Sequence, residues 1–350
     1  MSNHINLLAA STLLIAMCGA NEATAREPSP GNHEQAEAAV VQVLGDIASG
    51  TGFIYDADKG LVVTTAYITA GQSNLQVLVA GRPAAPAELL GSDLCQDLAV
   101  LQLTAPQAGL KALQFGDSDK VFDGDAVTSL SYPDAGAPGA DVVAVTSEAD
   151  EEPGGKIIRP SIPDYPSLIY HSAATKTADT GGPLLNRAGQ VIGVNTGVSI
   201  EGMQVSAAIS SDQATEELPG LAAGAQKNDP GWWINAVSDR NFVQNAAGVG
   251  LDKGASQAAQ KRLQDAGTDG LFVMNVRKDS PASHARVQQG AVITKVNGEG
   301  VPSFPDLCNT LEDASPGDTL TVEGVYSGVG AAGRTFGEAW TANLVLAGDS

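Results

Sequence analysis

Apolar positions fall in short runs broken by Gly, Pro and Asp over the first two thirds of the chain. Residues 40–44, 52–55, 61–65, 75–79, 98–103 and 142–145 are each rich in Val, Leu and Ile or carry β-branched and aromatic side chains. Runs of this length between turn formers predict the strands of a barrel or sandwich. Residues 147–155 cluster acids with no apolar period and predict a solvated loop. From Asp212 the chain turns Ala-, Gln-, Glu- and Gly-rich and ends in Pro230-Gly231, which predicts a linker over 213–230 with one short helix near its start. A second β-rich block spans 231–346. It carries two predicted helices, over 280–287, where Pro281 sits at an early helical position, and over 303–313.

Composition sharpens this picture. A chain of 350 residues suits two domains, and aromatic residues at 5% with 40 Gly and 18 Pro favour strands and tight turns over long helices. The formal net charge of −21 opposes binding to phosphate backbones and anionic lipid, so nucleic acid is excluded as the expected partner. Residues 7–20 are apolar but too short for a stable membrane anchor, and Ala23-Thr24-Ala25 follows with the small side chains of a cleavage site. A signal peptide over 1–25 and export to the periplasm or cell envelope are expected, although the first six residues lack Lys and Arg. Lipidation at Cys18 ranks below cleavage, because Met17 stands where a small residue is wanted. The remaining cysteines, Cys95 and Cys308, fall in different predicted domains, which argues against a disulfide and for two small buried thiols.

The chemistry-bearing segments come next. Gly50-Thr51-Gly52-Phe53-Ile54 precedes Val62-Val63-Thr64-Thr65-Ala66-Tyr67-Ile68. Further on stand Gly91-Ser92-Asp93, Asp97-Leu98-Ala99-Val100-Leu101, Ala178-Asp179-Thr180-Gly181-Gly182-Pro183-Leu184-Leu185-Asn186 and Val191-Ile192-Gly193-Val194-Asn195-Thr196. In order and spacing these resemble the trypsin-like serine proteases of the HtrA type. The resemblance implies a mainly β fold, a double six-stranded barrel over 36–212. It puts Tyr67 at the position of the general-base histidine, Asp97 at the orienting aspartate, Thr180 at the nucleophilic serine and Ala178 at a glycine of the oxyanion loop.

A nucleophilic hydroxyl needs a base that is neutral near pH 7 and can accept its proton. Tyrosine titrates near pH 10 and stays protonated there. The threonine methyl stiffens χ1, and Ala178 lacks glycine's backbone freedom. The expectation is therefore a non-enzymatic homologue, an acidic pseudoprotease that binds unfolded or extended polypeptide, or a partner protein. Two alternatives stand beside it. One is an active endopeptidase using Thr180 with a substitute base, His171 or water; the other is a structural adaptor whose cleft is filled.

The second block resembles the PDZ domains attached to such proteases, through Gly270-Leu271-Phe272-Val273, Ser280-Pro281-Ala282, Val296-Asn297-Gly298 and Pro316-Gly317-Asp318. A PDZ domain adds a peptide as an extra strand and holds its terminal carboxylate on backbone N–H groups. By that resemblance Trp232, Trp233, Ile234 and Asn235 are the best match to the carboxylate loop, with Gly248-Val249-Gly250-Leu251 second, and Leu307 lines the groove from the helix. Ile234 stands where the family has a glycine, which disfavours the positive φ of such a loop. No cofactor or metal is implied, since no His/Cys cluster has ligand spacing. Oligomeric state is left open.

Overall fold

A computed structural model describes residues 35–347 except 106, 134–136, 138–140, 151–167, 174–178, 201–202 and 312. The expected signal peptide and Ala178 lie outside the described residues.

The first barrel is built from β1 (Val40–Gly45), β2 (Ser49–Asp56), β3 (Leu61–Thr64), β4 (Leu75–Val79), β5 (Ala85–Asp93) and β6 (Leu98–Leu103), with a one-turn helix α1 (Ala66–Thr69) after β3. Strand order β5-β4-β1-β2-β3-β6, closed by β5 pairing β6, leaves these six strands no open edge except where another strand is added. The second barrel joins β7 (Ala126–Ser131), β8 (Val143–Asp150), β9 (Leu168–His171), β10 (Pro183–Leu185), β11 (Val191–Ile200) and β12 (Met203–Ser210), closed in the order β10-β11-β12-β9-β8-β7. The loop expected from 147 is thus displaced. Ser147–Asp150 complete β8, whose register runs against Ala126–Ser131 of β7, because the ladder satisfies backbone groups that the acidic side chains do not oppose on an exposed face.

Helix α2 (Ser211–Ala222) and strand β13 (Gln226–Lys227) occupy the expected linker. Ser210 caps the helix by accepting from the Gln213 amide. Ala214, Leu218 and Leu221, at helical spacing, bury against Phe53, Leu98 and Val100 of the first barrel and Leu130, Val194 and Ile209 of the second. One apolar cluster thus runs through both barrels and the helix. Gly91 makes the approach close: a Cβ there would stand 2.3 Å from Leu221 O. Strand β13 then adds in parallel to β5, pairing Gln226 with Ser92 and Lys227 with Asp93. Composition suggested a tether; the periodic apolar face makes this segment part of the fold.

The second domain has the sheet order β14-β15-β16-β18-β19, from Trp232–Ala236, Leu271–Val276, Ala291–Val296, Thr319–Tyr326 and Ala339–Val345, with β17 (Glu299–Gly300) paired to β16. Asn297 and Gly298, at φ 51° and 84°, make the tight turn from β16 to β17. Helices α3 (Phe242–Gly248), α4 (Lys253–Asp265), α5 (Pro281–His284) and α6 (Phe304–Leu311) complete it. Helix α4 occupies the stretch between 251 and 267. Ser256, Ala259 and Leu263 make the buried stripe of α4, too small in bulk to signal a helix by hydrophobicity.

The two domains are joined covalently as well as by the chain. Cys95 and Cys308 form a disulfide at a sequence separation of 213. This corrects the expectation of separate thiols: assignment to different domains says nothing about distance once the domains dock. In the chain-entropy account, closing so long a loop destabilises the unfolded state by about 5 kcal/mol.

Candidate active site

Helix α1 starts at Thr65, which has the extended backbone of a cap residue, φ −87° and ψ 149°. It places the Tyr67 amide against the β5–β6 turn, where Tyr67 N donates to Asp97 Oδ1 at 2.8 Å. The same carboxylate accepts from Thr196 Oγ1 of β11 at 2.7 Å. The two barrels thus meet on Asp97. That residue sits in the left-handed region at φ 51°, a conformation Asp tolerates better than most residues. The preceding acid, Asp93, folds the turn by accepting from Cys95 N and Gln96 N at 2.9 and 3.0 Å. Burial pushes both carboxyls up to about 6, the hydrogen bonds from Thr196 and the Tyr67 amide opposing it at Asp97.

Tyr67 meets Asp97 and the second domain through different groups. Its bond to Asp97 is made by the backbone amide, not by the phenol hydroxyl, and its ring stands edge-on to Trp233 of the second domain, centroids 6.1 Å apart. Burial, with the charges of Asp239 and Asp97, pushes the phenol up to about 12. Tyr67 is a proton donor across the physiological range.

Thr180 lies on the loop before β10 and is 5% exposed. Its carbonyl accepts from Thr51 N at 3.1 Å. Gly181 has φ +87°, and a Cβ there would fall 2.1 Å from Thr51 O and 2.4 Å from Thr64 Oγ1; only glycine fits. Gly181 N donates to Asn195 O at 2.7 Å and Asn195 N donates to Gly182 O at 2.8 Å, so β11 clamps the loop from the other side. The Thr180 γ-methyl faces Gly197, at 3.7 Å from where a Cβ would project. The Tyr67 ring thus packs on Trp233, and the Thr180 methyl lies toward Gly197.

His171, on β9, is 5% exposed. Burial lowers its pKa to about 4, the Asn195 side chain opposing the shift. Its imidazole is neutral at pH 7, and both ring nitrogens are buried with no hydrogen-bond partner. His171 is thus a buried group, not a surface one. Sequence reasoning did not single out Thr196 and Asn195; both lie in the quoted 191–196 segment, but a hydroxyl and an amide on a strand give no signal until the partner barrel is placed.

The tetrapeptide Trp232-Trp233-Ile234-Asn235 is corrected from loop to strand. It forms most of β14 and pairs with β15, Trp232 opposite Val276 and Ile234 opposite Val273, with Trp232, Trp233 and Ile234 buried at 0%, 6% and 9% exposure. Aromatic and β-branched side chains gain more from packing in a sheet than from an open turn. Asn235 Nδ2 donates to Asp239 Oδ2 at 2.7 Å. Leu307, on α6, is fully buried in the domain core. Among the described residues one carboxylate group, Asp117, Asp119 and Asp212, is close enough to share a cation; all three are exposed, and Asp212 already accepts from the Asp119 amide.

Comparison with known proteins matches residues 50–194 to the trypsin-like peptidase domain and 248–325 to the PDZ domain. The chain is 28% identical over 286 residues to the serine protease Do-like HtrA of Lactobacillus helveticus, covering 80% of this chain and 66% of that protein. It is 29% identical over 303 residues to a probable periplasmic serine endoprotease, DegP-like, of Brucella suis, covering 85% of this chain and 52% of that one. It thus spans between half and two thirds of the length of these relatives. Among solved structures, the HtrA-type protease AlgW with a tripeptide covers 91% of this chain at 22% identity and a TM-score of 0.49. No helix among the described residues is long and apolar enough to cross a membrane. The expectation of a non-enzyme is overturned by these relatives, which are named serine proteases and endoproteases across four fifths or more of this chain. The chain carries a trypsin-like peptidase domain followed by a PDZ domain, and the relatives it resembles are named HtrA and DegP-like proteases.

Proposed function

We propose that this chain is an exported endopeptidase of the HtrA type that binds extended polypeptide between its barrels and through its PDZ domain, and cuts it with Thr180 as nucleophile. The observation that carries the reading is the Thr180 loop, locked from both sides by Thr51 and Asn195 around a glycine that nothing else can replace. The name of the Brucella relative supports the compartment. Residues 1–25 serve as signal, 36–212 as catalytic domain and 231–346 as peptide-binding domain, with 213–230 connecting them.

Thr180 Oγ1 attacks the scissile carbonyl carbon and gives up its proton to a neutral base. The C–N bond then breaks, the amine leaving with that proton, and water hydrolyses the resulting ester. Tyr67 does not serve as the base, being protonated up to about pH 12. We assign the base to His171, neutral but weakly basic, titrating near 4, acting through a water as relay. Turnover is accordingly slow: loss of a well-placed base lowers kcat by about six orders of magnitude in a fully assembled triad. Cleavage of a quenched, unfolded polypeptide by the purified protein is the test. Slow turnover abolished in Thr180→Ala and nearly flat from pH 5 to 8 is expected; turnover equal in Thr180→Ala and the parent protein overturns the reading.

A further inference from the structure

Two tethers fix the PDZ domain to the barrels. One is the chain itself, which leaves β13 through Asn228, at φ 53°, and enters β14 through Gly231, at φ +85°. Alone, such a connection is a hinge. The other is the Cys95–Cys308 disulfide, which ties α6 to the turn two residues before Asp97. A body held at two separate points does not swing about either.

The face closed by these tethers is the one that carries Tyr67. Ala66, Ala70 and Leu94 of the first barrel share one apolar cluster with Trp232, Trp233, Phe272 and Val273. Asn275 Nδ2 donates to Gly71 O at 2.8 Å, and Lys278 N to Ser73 Oγ at 3.1 Å. Gly71 lies so close that a Cβ would stand 2.9 Å from Trp233 N. Closure also has an opposing contribution: Trp232 Nε1 and Trp233 Nε1 are buried with no hydrogen-bond partner, and water would satisfy them if the face opened. The docked arrangement is thus favoured by apolar burial and by the covalent tie, and disfavoured by two unsatisfied indoles.

We propose that the Cys95–Cys308 disulfide is a redox latch that keeps β14 closed over the Tyr67 helix, and that a dithiol opens it. One thiolate of the dithiol attacks a cysteine sulfur and the S–S bond breaks to a mixed disulfide. The second thiol closes the reductant to its own disulfide, so two electrons and two protons leave Cys95 and Cys308 as thiols. Both cysteines are about 5% exposed or less and lie against Phe304, so the latch yields to a small reductant or during an excursion that parts the domains. The proposal goes beyond proteolysis and holds whether or not Thr180 cuts.

Dithiothreitol is the probe, and hydrogen exchange the readout. After reduction, and independently in Cys308→Ser without reductant, the amides of 66–73 and 232–236 are expected to exchange at least about tenfold faster, while β10 and β11 are unchanged. Reoxidation restores the slow rate in the parent protein and not in Cys308→Ser. Unchanged exchange in both reduced parent and Cys308→Ser overturns the latch and leaves the bond a passive staple. Titration of Cys95 and Cys308 as free thiols in the unreduced, denatured protein also overturns it.

Discussion

Replacing Thr196 by Val tests how Asp97 is held, because it removes one donor and keeps the shape of the side chain. Thr196 Oγ1 lies 2.7 Å from Asp97 Oδ2 and is one of the two donors that pull against burial at that carboxylate, the other being the Tyr67 amide at 2.8 Å. A hydrogen bond to a charged group contributes about 1.5–3 kcal/mol, so the variant should raise the Asp97 pKa by a further one to two units above its present value of about 6. The sign follows from linkage. A carboxyl whose folded pKa lies above its unfolded value contributes stability that is complete below about pH 4 and is lost as pH rises through about 6. The parent protein therefore loses about 3 kcal/mol from Asp97 between these limits. Thr196→Val should lose more at pH 8, by about 2 kcal/mol, and little at pH 5, where Asp97 is protonated and the missing donor matters less. Urea denaturation of both proteins at pH 5 and pH 8 measures the difference; Asp93, raised by the same cause, cancels in the comparison. An equal loss at both pH values would show that Thr196 acts by packing and that Asp97 is not the charge it supports.

Gly181→Ala should unfold the nucleophile loop, because its Cβ would stand 2.1 Å from Thr51 O at a φ of +87°; a loss of about 3 kcal/mol or more in thermal denaturation is expected, and a neutral result would mean the loop is not clamped by β2. His171 should remain neutral in the folded protein until about pH 4. Since its folded pKa is depressed, its contribution to stability is present above its unfolded pKa of 6.5 and is lost as pH falls through 4; the imidazole carbon-proton NMR shifts followed against pH check this directly.

The double barrel and the PDZ sheet were legible because strand runs and tight turns are local signals. The β-branched content of 61–64 and the Asn297-Gly298 turn each identify their element with no knowledge of its neighbours. What was not legible depends on docking. Residues 213–230 read as a tether by composition, yet Ala214, Leu218 and Leu221 have the spacing of a helix face whose partner, the seam between the barrels, is invisible in one dimension. The disulfide failed for the same reason. Trp232 to Asn235 were misassigned because a motif comparison fixed their place in the chain without weighing that two indoles and an isoleucine gain more by entering a sheet. At the candidate site, Asp97 and Thr180 are singled out by their flanks, whereas the Tyr67 ring packs on a residue more than 160 positions away in sequence.

That last point bears on how the site is kept in shape. The junction buries Asp93 and Asp229 at 4% and 3% exposure beside Asp97, and Arg277, from the PDZ domain, reaches Asp229 at 3.2 Å with only 17% of its side chain exposed. Ser92 Oγ donates to the same carboxylate. Burial is opposed at these acids by fixed donors, backbone amides at Asp93 and an amide plus a hydroxyl at Asp97, and by the cations Lys227 near Asp93 and Arg277 at Asp229. Fixed donors hold direction better than mobile cations do, but only while the turn that carries them stays folded. The turn from Asp93 to Asp97 is anchored on one side by β13 and on the other by Cys95 in its bond to α6. The orientation of the Asp97 carboxylate thus rests on a turn that the linker strand and the second domain both anchor.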